Sequence, residues 1–224
     1  MSETKTNWEK SKIIRDFRRC AGFELSEEDY VWLRQECWRA RELKQKANHY
    51  LIGHIKEEYH MPDISESLHD FIIKECLKHP HIVEHHKKLT YLNNAKPFYV
   101  HDLWCNFQKK YEFNPPHSHS GIYSFVIFVH IPYDLNEEEA YFGEVPKSTN
   151  REPAVDSAMH NHTSKFAFIN SDYAGENVCD CLDVDKSFEG KMLMFPSRQI
   201  HQVFPFYTSE DYRITVSGNI RLKV

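Results

Sequence analysis

Two histidines, His117 and His119, stand two residues apart in Asn114-Pro-Pro-His-Ser-His, just before an apolar run that opens at Ile122. On an extended backbone, residues at i and i+2 project to one face, so both imidazoles could reach one metal ion. Taken alone, H-x-H in a chain with 15 histidines fits surface or structural residues equally well. His201 follows Gly190-Lys-Met-Leu-Met-Phe-Pro-Ser-Arg-Gln-Ile, where a glycine opens a short apolar strand, a proline turns the chain and the histidine begins the next strand. A histidine that merely caps a strand edge is the plainer alternative. Beyond it lies Asp211-Tyr-Arg-Ile-Thr-Val-Ser-Gly-Asn219. Strand alternation there sets Tyr212, Ile214 and Val216 on one face and Arg213, Thr215, Ser217 and Asn219 on the other. Such a polar ladder suits a solvent-facing strand, or the interior of a barrel that holds a small acid. Arginine fits the second role, because its planar fork binds a carboxylate bidentately and stays charged when desolvated.

The elements that must position these groups change character along the chain. Through the first ninety-odd residues the apolar spacing is helical. Ser26 is a capping-box-like start, and Leu33, Cys37, Ala40, Leu43, Ala47 and Leu51 fall at three- and four-residue steps, predicting one long amphipathic helix to about residue 60. Pro62 interrupts it, Ser65 caps a second helix carrying Leu68, Phe71, Ile72 and Leu77, and Pro80 precedes a short third with Ile82, Leu89 and Leu92. From Lys96 onward the period is strand-like, with predicted strands over 98–110, 122–130, 165–170, 191–195, 201–206 and 212–222. Short strands with no helical pattern between them point to a sandwich or barrel, giving an α+β chain divided at about residues 95 and 96. The polar stretch 134–164 reads as a loop of the size that serves as a lid or binding loop.

Composition limits the function classes. Apolar residues at 41% and charged residues at 27% describe a soluble globular protein, and 28 basic against 33 acidic side chains give no pull toward nucleic acid or anionic lipid. No apolar run has signal-peptide or membrane-spanning length, so a cytoplasmic location without membrane partners is expected. The six cysteines lack metal-site spacing and are expected to be reduced thiols, with a second metal on Cys179 and Cys181 the minor alternative. His79, His81, His85, His86, His160 and His162 read as solvated, Glu137-Glu138-Glu139 as a solvated turn, and Trp32 and Trp38 as packing against the barrel.

Phe113-Asn-Pro-Pro-His117-Ser-His119, the strand containing Ser124, Phe195-Pro-Ser-Arg-Gln-Ile-His201 and Arg213-Ile-Thr-Val-Ser-Gly-Asn219 together resemble the 2OG-Fe(II) oxygenases of bacteria and marine phages, distant relatives of the prolyl 4-hydroxylases. The resemblance covers about residues 98 to 222. It implies a double-stranded β-helix of jelly-roll or cupin type over 96–224, with the helical region 1–95 packed on it. It further implies an enzyme that uses Fe(II), 2-oxoglutarate and dioxygen to hydroxylate an unactivated C–H bond. His201 would be the distal iron ligand, and Arg213 would hold the distal carboxylate of 2-oxoglutarate, with Asn106, Tyr123, Thr215 and Asn219 about the co-substrate.

One departure matters. The broader superfamily pairs His-x-Asp/Glu with a distal histidine, whereas the second position here is His119. Three neutral imidazoles, His117, His119 and His201, leave the site one charge unit more positive than two imidazoles and a carboxylate. A second registration places Gly121 of His119-Ser-Gly121 at the carboxylate position, as in iron halogenases, and ranks below the first. Two readings compete with the oxygenase: a three-histidine cupin-type enzyme that does not use 2-oxoglutarate, and a non-catalytic barrel that serves as a binding module. The substrate is open among a small molecule, a protein side chain and a nucleobase. The helices could complete the back of the sheet, form a homodimer contact or recognise substrate.

Overall fold

The computed structural model describes residues 5–10, 20–88, 97–141, 162–171, 175 and 177–223. Its helices are α1 (Asn7–Lys10), α2 (Glu27–Leu43), α3 (Glu66–Asp70), α4 (Pro80–Lys88) and α5 (Leu135–Ala140). Its strands are β1 (Ala21–Glu24), β2 (Glu58–His60), β3 (Phe98–Gln108), β4 (Asn114–His117), β5 (Tyr123–His130), β6 (Phe166–Ser171), β7 (Asn177–Leu182), β8 (Lys191–Pro196), β9 (His201–Val203) and β10 (Arg213–Leu222).

The strands form two antiparallel sheets, a major one ordered β1-β8-β5-β10-β3-β2 and a minor one ordered β4-β9-β6-β7. From β3 onward the chain passes between the sheets so that β3, β10, β5 and β8 face β4, β9, β6 and β7, which is the double-stranded β-helix. The alternation of β10 explains the layering. Ile214 and Val216 turn outward and join Cys105 and Phe107 of β3 and Phe125 and Ile127 of β5 in a core completed by Leu33, Cys37 and Ala40 of α2 and by Leu68 and Ile72. The helical region thus covers the back of the major sheet. Between the sheets a second core gathers Val126, Phe128, Phe166, Phe168, Leu193, Phe195 and Phe206. Among the described residues no helix is long and apolar enough to cross a membrane.

All six predicted strands form. The first helix, however, stops at Leu43 rather than near residue 60: Lys44 adopts the left-handed conformation (φ 56°), and its N–H bonds Arg41 O. The chain then doubles back, Ala47 N donates to Glu58 O (2.8 Å), and β2 pairs with β3 at the edge of the major sheet. Ala47 and Leu51 kept the helical spacing because they are needed under the barrel mouth, where Leu51, Ile52 and Ile55 line the interior. The Ser26 and Ser65 caps form as expected, bonding Asp29 N and Leu68 N at 3.1 Å each. Pro80 opens the third helix, while Leu89 and Leu92 lie outside the described residues.

The stretch 134–164 carries helix α5, capped by Asp134, and residues 142–161 lie outside the described residues, His160 among them. Glu138 is not on a solvated turn. It is fully buried, and its carboxylate accepts from Tyr207 N, Thr208 N and Thr208 Oγ1. That carboxylate pins α5 to the loop between β9 and β10.

Candidate metal centre

β4 and β9 pair antiparallel with His117 directly opposite His201. β4 tolerates Pro115 and Pro116 because it is the edge of the minor sheet, where a missing N–H breaks no ladder. His119 follows two residues on, its backbone N–H tied to Ser197 O (2.8 Å) in the turn that leads to β9. The three rings converge. Centroids lie 4.3 Å apart for His117 and His201 and 5.0 Å for His119 with each of the others, and one nitrogen from each falls within 4.8 Å of the other two.

The tautomers are set locally. Nδ1 of His117 faces Pro115 O at 2.6 Å and Nδ1 of His201 faces Gln199 O at 3.0 Å. A carbonyl only accepts, so each Nδ1 carries the proton and each Nε2 keeps its lone pair for a ligand role. Burial favours the neutral rings. Desolvation lowers the pKa of His117, brings His119 to about 4 and holds His201 well below the usual histidine value, the neighbouring imidazoles adding to the effect at His119 and His201. Phe166 stacks on His201 at 5.7 Å and Phe195 meets it edge-on at 4.8 Å, which walls the site from water on the core side.

Beside this triad the inward face of the major sheet presents three cross-strand rows: Arg213 opposite Gln108, Thr215 opposite Asn106 and in turn Glu58, and Ser217 opposite Trp104. All of these line one cavity with the three histidines. Arg213 is 3% exposed, and its donors meet only neutral acceptors. Nε and Nη2 donate to Gln108 Oε1 (3.0 and 2.8 Å), Nη1 to Tyr133 Oη (3.1 Å) and Ser164 O (2.6 Å), and Nη2 to Phe204 O (2.7 Å). Among the described residues no carboxylate ion-pairs with it. An uncompensated buried charge costs on the order of several kcal/mol, so this arrangement favours an anion in the cavity.

Of the other residues expected about the co-substrate, Thr215 and Asn106 line the cavity and are joined by an Nδ2–H to Oγ1 bond of 3.0 Å. Asn219 sits farther out, in a cleft of about 660 Å³ at the mouth, bonded to Ser124 Oγ (2.8 Å) and Asp102 Oδ2 (3.2 Å). Tyr123 faces away. Its hydroxyl lies 2.8 Å from Nδ1 of His85 in the helical layer, because on β5 the inward positions are Ser124, Val126 and Phe128. Gln108 was missed although period two from Asn106 reaches it. Tyr133 and the carbonyls of Ser164 and Phe204 carried no sequence signal. Glu58 was hidden in the overextended helix.

Among the remaining groups, all six cysteines are free thiols, and Trp38 meets Phe107 at 5.1 Å, as expected. His162 does not stand free in solvent: it stacks on Phe204 and its Nδ1 lies 3.3 Å from Cys181 Sγ.

Residues 102–219 match the family described as "Putative 2OG-Fe(II) oxygenase". That is just over half of the 224 residues, and the chain belongs to this family. It is therefore a 2-oxoglutarate- and Fe(II)-dependent oxygenase, using dioxygen, and the competing readings without 2-oxoglutarate or without catalysis give way. Solved structures with a similar fold include a prolyl-4-hydroxylase from Pseudomonas putida (14% identity, covering 95% of this chain and 96% of that one, TM-score 0.49). Another is the viral collagen prolyl hydroxylase of Paramecium Bursaria Chlorella virus-1 in its 2OG complex (10% identity, 92% and 97%, TM-score 0.43). A third is a prolyl hydroxylase from Trichoplax adhaerens with a hypoxia-inducible-factor peptide fragment (8% identity, 94% and 86%, TM-score 0.46). No curated protein matches the chain.

Proposed function

We propose that His117, His119 and His201 hold the ferrous ion, that Arg213 and Thr215 receive the distal carboxylate of 2-oxoglutarate, and that the enzyme hydroxylates a C–H bond of a small molecule or protein side chain in the cytoplasm. The observation that carries this reading is the shared cavity. Three neutral imidazoles with free Nε2 lone pairs lie beside a buried guanidinium that has no carboxylate partner among the described residues.

The donor set fits the metal. Imidazole suits ferrous iron, and three protein ligands leave positions open for a chelating keto acid and dioxygen. When bound, iron and 2-oxoglutarate would let dioxygen oxidise the C–H bond, one oxygen atom entering the product and the other the succinate that forms as carbon dioxide leaves. The protein's own work is placement. The Nδ1–H bonds of His117 and His201 aim their lone pairs, Phe166 and Phe195 exclude water behind His201, and Gln108 and Tyr133 hold the Arg213 guanidinium at the cavity wall. The mouth cleft beside Trp104, Asn219 and Arg221 admits substrate. In this reading the barrel over 96–224 holds the machinery, and residues 1–95 are its annexe, backing the sheet with α2 and lining the cavity with Leu51, Ile52 and Ile55.

The test is to add Fe(II) and then 2-oxoglutarate to apoprotein without oxygen, beside Arg213→Ala and His201→Ala. A weak visible charge-transfer band is expected in the wild type, weaker for the arginine variant and absent for the histidine variant. Iron binding with no band would overturn the co-substrate site, and absence of metal binding would overturn the triad.

A further inference from the structure

β2 brings a buried acid to the cavity. Glu58 is 2% exposed, lines the same interior as the histidines and lies opposite Asn106 in the β2–β3 register. One carboxylate oxygen, Oε2, accepts from Asn48 Nδ2 (2.9 Å), and the other, Oε1, is buried with no partner. Asn106 Oδ1 and Asn114 Oδ1, both on cavity-lining residues, are likewise buried without a donor. Asn48 cannot turn its amide round to help, because its Nδ2 also donates to Ile55 O (2.7 Å). The charged groups that act on it are Glu112, which is of the same sign, and Lys46, whose Nζ is engaged by Lys56 O and the Tyr59 ring.

Three side-chain oxygens of this wall are thus buried without a donor among the described residues, and 2-oxoglutarate, an acceptor-only dianion, brings none. We propose that Glu58, with the side-chain oxygen of Asn106 opposite it in the sheet, forms the recognition subsite for a positively charged, hydrogen-bond-donating nitrogen, an ammonium or guanidinium, on the substrate to be oxidised. The inference rests on the reading of the triad and Arg213 given above. It divides the cavity by charge, with the anionic co-substrate on Arg213 and the cationic substrate group on Glu58. Burial and the neighbouring Glu112 raise the Glu58 pKa to about 7, the cost of a buried carboxylate left without a cation, and an arriving cation reverses that shift. The apolar Leu51, Ile52 and Ile55 beside Glu58 suit the alkyl stem that carries such a nitrogen.

The experiment uses the full-length protein loaded with Mn(II). 2-Oxoglutarate is titrated first by calorimetry. Two matched probe pairs follow, Nα-acetyl-lysine amide against Nα-acetyl-norleucine amide and Nα-acetyl-arginine amide against Nα-acetyl-citrulline amide, with paramagnetic broadening of probe protons read as binding near the metal. Within each pair the stems match, and the second member lacks the charged, donating nitrogen group. The charged member should bind about tenfold or more tightly, the scale of one charge-assisted hydrogen bond, and Glu58→Gln should abolish the difference. The wild-type comparison stands without the variant. 2-Oxoglutarate binding with no charge preference, or a preference that persists in Glu58→Gln, overturns the cation subsite alone. Failure of 2-oxoglutarate to bind overturns the function proposal and this one with it.

Discussion

Gln108 Oε1 occupies the side of the Arg213 fork that a carboxylate would take, accepting from Nε at 3.0 Å and Nη2 at 2.8 Å. The amide cannot be turned round, because Gln108 Nε2 donates to Glu112 O. A neutral oxygen thus holds the guanidinium in place without cancelling its charge, which leaves the attraction for an incoming anion intact.

Replacing that neutral oxygen by a charged one should therefore cost co-substrate affinity. Gln108→Glu keeps the shape and gives Arg213 a permanent ion pair, so calorimetry on the Mn(II) protein should show 2-oxoglutarate binding weakened by about tenfold or more. Gln108→Leu, which removes the acceptor and adds no charge, should cost less. Equal losses in the two variants would mean that Gln108 acts by packing alone.

The histidine at the usual carboxylate position gives a second prediction. His119 stands over Trp104, with ring centroids 5.7 Å apart, close enough to Asp102 to feel its charge. His119→Asp shortens the side chain but restores an anionic ligand, so Mn(II) affinity should stay within about tenfold of wild type. His119→Ala and His201→Ala should each lose more than that. If His119→Asp releases the metal as readily as the alanine variants, the backbone of the His-x-His turn is spaced for imidazole only.

Legibility in the sequence followed burial. The β10 ladder could be read because its two faces meet different surroundings, apolar helices behind and a polar cavity in front, so alternation survived in the residue types. The His117, His119 and His201 set was readable because each sits beside a proline-bearing turn. β7 and β1 are short segments with weak alternation and were not anticipated, and β4 was expected only as an extended approach to its histidines. The stretch from Lys44 to His60 failed for a physical reason. Helical spacing and the spacing of residues that plug a barrel mouth coincide over Ala47 and Leu51, and nothing local announces that the Lys44 turn sends the chain back along β3. Glu58 was lost with it.

Tyr123 separates pocket residues from scaffold. The resemblance placed it near the co-substrate, but it is fully buried against α4, its hydroxyl close to His85 Nδ1 and donating to Ile82 O at 3.4 Å. Tyr123→Phe should leave the 2-oxoglutarate dissociation constant unchanged while lowering unfolding stability by about 1 kcal/mol, the usual value of one buried hydrogen bond. Urea denaturation and calorimetry on the same preparation test both halves. A large affinity loss at unchanged stability would put the hydroxyl back in the pocket.

The apoprotein should lose stability toward acid because of the triad. In the unfolded chain these histidines titrate near about 6.5. In the folded apoprotein, burial brings His119 to about 4 and holds His201 well below the usual value. Between those limits the unfolded state binds more protons than the folded state, so stability is present above pH 6.5 and declines as pH falls toward 4. His130 and Glu58 work in the opposite direction, since contact with Glu189 raises the His130 pKa and burial raises that of Glu58 to about 7, but they are two groups, one of them partly exposed, against three largely desolvated histidines. Urea midpoints measured between pH 7.5 and 4.5 should therefore fall, and His119→Gln, which cannot take up the proton, should flatten the slope. Added Mn(II) should raise the midpoint at pH 7.5 and lose that effect toward pH 4.5, as protons displace it from the imidazoles. A pH slope in the apoprotein that His119→Gln leaves unchanged would mean that the His119 ring is hydrated in solution.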